Sequence, residues 1–206
     1  MLRLYRAPFS TNVERVALAL AHKGLEVESV EISYEDRSPV VEVSGQPLVP
    51  VLVDGEEVIP DSTRILRHLD ERWPDPPLFP RDPARHAEMD VFLEWFNEVW
   101  KLAPNTIEAE LERPEPDHER IAALSARMRA SLDVFENMLD GRDHLFGDFS
   151  AADCAAFPFL KFAKLRDPAD DELFHRILEE HLSLDGGASH PRLSAWIDRV
   201  NERPRA

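Results

Sequence analysis

Ser10 is the first residue whose type and setting could do chemistry. It lies in the run APFSTNVERVALALAHKG, residues 7–24, directly ahead of an apolar, helix-forming segment. Serine is a preferred helix N-cap, so a capping role accounts for it with nothing added. The same geometry suits a second role. The first turn of a helix presents unpaired N–H groups and a partial positive charge, which favour an anion. A hydroxyl held there can donate to a thiolate, favour the ionised form and lower the thiol pKa. Both roles are open at this point.

Three other short runs raise comparable questions. In LVPVLVDG, Pro50 stands at the head of an apolar strand that reads as central, where a proline forfeits a ladder hydrogen bond. A trans proline on an edge strand explains it, and so does a cis X–Pro turn. The cis form would leave the Val49 backbone free to pair with an extended ligand. In IPDSTRIL, Asp61 and Ser62 stand where a strand gives way to a helix. They read as a plain cap, or as a site for an α-amino acid. In the second case Ser62 holds the carboxylate at the helix N-terminus while Asp61 accepts from the ammonium group. In GDFSAADCAAF, Ser150 and Asp153 form an S-x-x-D capping box, a structural device.

The elements that must position these residues fall into two groups. Residues 1–73 alternate between strand and helix: Leu2 and Leu4 alternate with charges, then Val13, Val16, Ala17, Leu20 and Ala21 recur at helical spacing until Lys23-Gly24. A second strand comes next at Val27, Val30 and Ile32, and after a loosely structured stretch come a strand, an Asp54-Gly55 turn, a partner strand and a helix. WPDPPLFPRDP then places five prolines between residues 74 and 83, a density that no helix or strand interior accepts. From Arg85 onward the pattern is helical, with Met89, Phe92, Phe96 and Val99 on one stripe and Trp95 and Trp100 beside it. The boundaries expected are 1–75 for an α/β domain, 76–84 for a proline-rich linker and 85–206 for an all-helical domain.

Composition narrows the function classes. The chain has 206 residues, 43% of them apolar, and a net charge of −16. It can bury a core, and its charge disfavours nucleic acid and anionic membranes. No apolar run approaches the ~20 residues of a membrane span, and no signal peptide is evident, so a cytoplasmic location is expected. The single cysteine, Cys154, excludes an internal disulfide or a Cys-x-x-Cys redox pair, and its apolar helix marks it as a core residue. No metal is expected. Any anionic ligand must meet local positive potential against the overall field.

Taken together, the four runs resemble the cytosolic glutathione transferase family over nearly the whole chain. STNVERVALALAHKGLEVE is similar to the first helix of its serine-type classes, especially the phi-like members. LVPVLVDGEEVIPDS resembles the family's cis-proline strand, hairpin and glutamyl-binding turn, and GDFSAADCAAF its C-terminal capping box. The resemblance implies a thioredoxin-like α/β N-terminal domain, an all-α C-terminal domain, and glutathione as co-substrate. It implies that Ser10 hydrogen-bonds the glutathione sulfur and that Val49, before Pro50, pairs its backbone with the cysteinyl part. Asp61 and Ser62 would grip the γ-glutamyl end. Leu48 occupies the position of the Lys or Gln that often contacts the glycyl carboxylate, with Gln46 near. Where cysteine-type classes read Cys-Pro-Phe, this chain has Ala7-Pro8-Phe9, so cysteine-dependent reductase chemistry is not expected.

The reaction implied is attack by the glutathione thiolate on a small hydrophobic electrophile, in a homodimer. A free thiol of pKa ~8.5 is only a few per cent ionised at pH 7, so stabilising the anion is the main lever. Ser10 has no His/Asp constellation to make it a nucleophile. Phe9, Trp95, Phe96 and Trp100 are candidates for lining an electrophile site between the domains, although an aromatic stripe at this spacing also suits a core or dimer interface. The competing readings are a non-catalytic glutathione-transferase-like binding module and a transferase using a different thiol.

Overall fold

The computed structural model describes residues 1–184 and 188–206. The chain divides into two compact units, Met1–His86 together with Arg203–Ala206, and Ala87–Glu202.

The first unit opens with β1 (Leu2–Arg6), α1 (Thr11–His22), β2 (Val27–Glu31) and a brief α2 (Ser38–Ser44). It continues through β3 (Val51–Asp54), β4 (Glu57–Pro60) and α3 (Ser62–Arg72). The four strands form one sheet in the order β2-β1-β3-β4, with β1 parallel to β2 and antiparallel to β3, and β3 antiparallel to β4. Side chains alternate across the sheet. Tyr5 and Val51 are register partners and share a core with Ile32 and Val40, packed against Val43 of α2. Leu4 and Leu52, also partners, are fully buried on the opposite face. This is the thioredoxin-like arrangement.

α1 ends where the pattern predicts: Gly24 takes φ 65°, a left-handed conformation that a side chain resists, and Leu25 N–H returns to Leu20 C=O. Its neighbour Lys23 does more than end a helix. The Lys23 ammonium is fully buried and donates to Asp70 Oδ1 at 2.8 Å and to the carbonyls of Trp73 and Pro76 at 2.6 and 2.8 Å. Asp70 in turn accepts from the N–H groups of Leu78 and Phe79. The proline-rich segment is thereby bound to the first unit. Residues 203–206 also return to it: Arg205 pairs with Glu14 at 2.9 Å, and Arg6 donates to the Ala206 carbonyl at 2.9 Å.

The second unit is helical. α4 (Pro83–Trp95) leads through a π-helical turn, Phe96–Trp100, into α5 (Leu102–Leu111) and α6 (His118–Met138). Then come α7 (Ala151–Leu160), a short 3₁₀ turn, α8 (Leu173–Leu182) and α9 (Pro191–Asn201). The π turn changes the stripe expected from 3.6-residue spacing. One extra residue in the turn rotates Val99 off the Phe96 face to 44% exposure, while Trp100 stays on it at 4% exposure. At the start of α7 the capping box is present. Asp153, completely buried, accepts from Ser150 N–H at 3.0 Å, Leu145 N–H at 3.1 Å and the Trp196 indole at 2.8 Å. Among the described residues, no helix is long and apolar enough to cross a membrane.

Candidate functional site

Ser10 caps α1. Its Oγ accepts from the Val13 N–H at 3.3 Å, and its backbone is extended at φ −65° and ψ 114°. In that bond the hydroxyl is only an acceptor, so its own hydrogen remains available to a ligand. The residue is half-buried. The loop before it is held from outside the helix: the Tyr34 hydroxyl donates to the Pro8 carbonyl at 2.6 Å. Phe9 has φ 57°, unusual for a bulky residue, and is 43% exposed.

Sheet register brings the other expected residues to the same end of the sheet. β1 leaves the sheet toward Ser10 just beyond the Tyr5–Val51 pair. β3 enters it through Val49 and Pro50, joined by a cis peptide bond. β4 leaves it after Pro60, opposite Val51, and runs directly into Asp61 and Ser62. The exit of β1, the entry of β3 and the exit of β4 are therefore neighbours.

Asp61 caps α3, its Oδ1 accepting from the Arg64 N–H at 3.0 Å. Its φ of 75° and ψ of 127° are sparsely populated for a residue with a side chain, which costs about 1–3 kcal/mol. The side chain is exposed. Ser62, the first residue of α3, is 3% exposed, and its Oγ accepts from the Arg15 guanidinium at 3.4 Å. Arg15 is itself 1% exposed. Sequence reasoning passed over it, although an arginine between Val13 and Val16, on the apolar side of a helix, is a readable signal. It supplies buried positive charge in a chain that is otherwise strongly acidic.

Leu48 and Gln46 lie in the turn that leads into Val49. Leu48 is 71% exposed and offers no polar side chain. The Gln46 amide is spent on the Leu48 backbone, its Nε2 donating to the carbonyl at 2.8 Å and its Oε1 accepting from the N–H at 2.7 Å. It stiffens the approach to Val49.

The aromatic candidates on the second unit separate by burial. Phe96 is completely buried and stacks on Trp100 with centroids 4.6 Å apart. Trp100 donates its indole N–H to Ser131 Oγ at 2.9 Å, and both rings pack against Phe135 and Phe159. These two are interior residues of the helical unit, a correction to the expectation that they line a ligand site. Trp95 is half-buried. Cys154 is buried, as its apolar helix requires.

A thioredoxin-like unit with a capped helix start, a proline-led strand and a strained acidic-Ser turn at one end, followed by a helical unit, defines a glutathione-transferase architecture. The known proteins agree. Residues 4–77 match the model of the glutathione S-transferase N-terminal domain, and residues 118–199 that of the C-terminal domain. Glutathione S-transferase F10 of Arabidopsis thaliana is 28% identical over 98% of this chain and 93% of its own length. FtsZ-localized protein A of Caulobacter vibrioides is 33% identical over 74% of this chain and 73% of its own. The crystal structure of a glutathione S-transferase from Rhodospirillum rubrum superposes with a TM-score of 0.74 at 28% identity, covering 99% of this chain and 89% of that one. The chain belongs to the glutathione S-transferase family.

Proposed function

We propose that this protein is a serine-type, phi-like glutathione S-transferase in which Ser10 stabilises the glutathione thiolate for attack on a small hydrophobic electrophile. The observation that carries this reading is the Ser10 hydroxyl itself: an acceptor toward Val13 N–H, its hydrogen unspent, at the positive end of α1. A donor to the sulfur lowers the thiol pKa from ~8.5 toward neutrality and raises the thiolate fraction. The thiolate then bonds to the electrophilic carbon as the leaving group departs with its electron pair. Ser10 stays a hydroxyl throughout.

The rest of the ligand is assigned by chemistry. The Val49 backbone, ahead of Pro50, pairs with the cysteinyl unit. Ser62 donates to the α-carboxylate of the γ-glutamyl end, and the exposed Asp61 carboxylate accepts from its ammonium. Leu48 flanks the glycyl end without a charge. Phe9, exposed in the loop just ahead of Ser10, is the first unit's candidate for touching the electrophile. The protein works as a homodimer in a reducing cytoplasm, and a sedimentation mass tests the first point.

Ser10→Ala should lower the conjugation rate with a halo-aromatic electrophile by about 10²-fold, the usual loss when one charge-stabilising donor is removed. Glutathione affinity should change little, because the glutamyl contacts remain. An unchanged rate removes Ser10 from the mechanism.

A second reading, a non-catalytic binding module, draws support from the similarity to a protein named for its localisation with FtsZ and from the chargeless glycyl side at Leu48. Calorimetric titration separates the two. Absence of glutathione binding at about 10 mM favours the module or a different thiol.

A further inference from the structure

Arg15 lies in the second turn of α1 among apolar neighbours and is 1% exposed. A guanidinium keeps its proton at any working pH, so a buried one must be held by acceptors. One of these is Ser62 Oγ, reached by Nη1 across 3.4 Å, which joins the helix carrying Ser10 to the first residue of α3. The bond has a direction. Arginine can only donate, so the Ser62 oxygen is the acceptor and its hydrogen must turn away from Arg15. The Ser62 main-chain N–H, in the first turn of α3, has no acceptor within its own helix. Both donors of Ser62 are thus left for an anion, with permanent positive charge behind them.

We infer that Arg15 is a positioning residue for recognition of an α-carboxylate, acting through Ser62. It fixes the Ser62 hydroxyl with its oxygen toward the interior and its hydrogen toward the ligand. It also offsets, at this one place, the field of a chain carrying a net charge of −16. The inference rests on the reading of glutathione as the ligand, and it adds a separable claim: Arg15 discriminates for the α-carboxylate and leaves the sulfur chemistry to Ser10. Lysine is a poor substitute, because a point charge on a shorter reach lacks the planar fork that meets the hydroxyl.

The test compares glutathione with 4-aminobutyryl-cysteinylglycine, which is glutathione without its α-carboxylate. Both are titrated calorimetrically into the full chain, the Arg15→Met and Ser62→Ala variants and the double variant, after circular dichroism confirms folding. Arg15→Met should weaken glutathione by about tenfold or more and the analogue by less than about threefold. KM for glutathione should rise with kcat nearly unchanged. The double variant should bind glutathione hardly more weakly than Ser62→Ala alone, since the two residues act on one contact. Equal losses for both ligands, or additive losses in the double variant, overturn the inference while leaving the glutathione reading intact. Wild-type protein that binds neither compound overturns both. Should Arg15→Met fail to fold, the Arg15 Nε–H resonance of the wild-type protein decides. It should shift with glutathione and not with the analogue, and equal shifts overturn the assignment.

Discussion

The starts of α1 and α7 use the same residue type for opposite ends. Ser10 and Ser150 both cap helices, and each stands ahead of a run rich in alanine. At α7 the carboxylate is heavily used: Asp153 is completely buried and takes hydrogen bonds from two backbone N–H groups, the Ser150 hydroxyl and the Trp196 indole. At α1 the cap makes one long contact at 3.3 Å, stays half-buried, and keeps its hydrogen unspent. The α3 start extends the contrast, because there Asp61 holds a strained backbone with its carboxylate exposed. A buried cap whose carboxylate joins four donors is structural. A cap with capacity left over, as at Ser10, is one that the proposed ligand role could use.

Breaking the saturated cap should have the largest effect. Asp153→Ala strands the Trp196 indole N–H and the Leu145 and Ser150 amides in the interior, a loss of about 3–5 kcal/mol. For a chain of this length that lowers Tm by roughly 6–20 °C in a thermal scan. Ser150→Ala should cost only about 1 kcal/mol, the usual value of a cap. Equal effects of the two variants would show that the carboxylate is no hub. The unsaturated cap should behave in the opposite way. Ser10→Ala should cost at most about 1 kcal/mol of stability, yet remove about 10²-fold of turnover. A variant as unstable as Asp153→Ala would erase the distinction between the two helix starts.

Legibility in the sequence tracked the range of the signal. Local patterns were readable: the alternation of Leu2 and Leu4, the helical repeat from Val13 to Ala21, and the capping box at Ser150 and Asp153 all report neighbours a few residues apart. Ser10, Pro50, Asp61 and Ser62 stand out locally because each breaks a rule or satisfies it at an element boundary, and the sheet register places those boundaries at one end of the sheet. The unreadable features depend on partners distant in sequence. Lys23 looks like an ordinary charge at a helix end, and only the fold shows its ammonium shared among Asp70, Trp73 and Pro76. Arg15 differs in part: its place between Val13 and Val16 is legible, and only its partner Ser62 is not. The π turn at Phe96–Trp100 was missed because a fixed 3.6-residue period cannot represent a turn with an extra residue, and so Val99 was assigned the inward place that Trp100 takes.

A smaller effect sharpens the comparison at α3. Glycine, with no Cβ, adopts the positive φ of Asp61 with less strain, and the loss of the cap to Arg64 N–H costs only a few tenths of a kcal/mol. Asp61→Gly should therefore leave Tm unchanged or raise it by the equivalent of about 1 kcal/mol, while glutathione binding weakens. Asp61→Asn, which keeps the cap and tolerates positive φ, should lose affinity without gaining stability. A lower Tm for Asp61→Gly would mean that the side chain holds the turn together and that the strain serves no ligand.

The smallest effect expected is a pH dependence that arises away from the candidate site. His181 of α8 is 8% exposed, with Nδ1 3.0 Å from Ser125 Oγ. Burial, which disfavours the imidazolium, lowers its pKa from 6.5, Glu180 draws it partly back, and Arg129 pushes it further down. His22 of α1 is lowered in the same direction, first by burial and then by Arg203. Below the unfolded value the unfolded chain binds more protons than the native one, so stability falls as pH drops from about 7 to 5.5. Glu108 acts in the opposite sense. Burial first, then Glu112 and Glu172, raise its pKa from 4.5, so it favours the native state at lower pH, and measurements belong above about pH 5. His181→Gln takes up no proton and can still meet Ser125 through its amide. Its Tm should change less steeply over this range than that of the wild type, and an identical slope would place the proton uptake elsewhere, His22 being next.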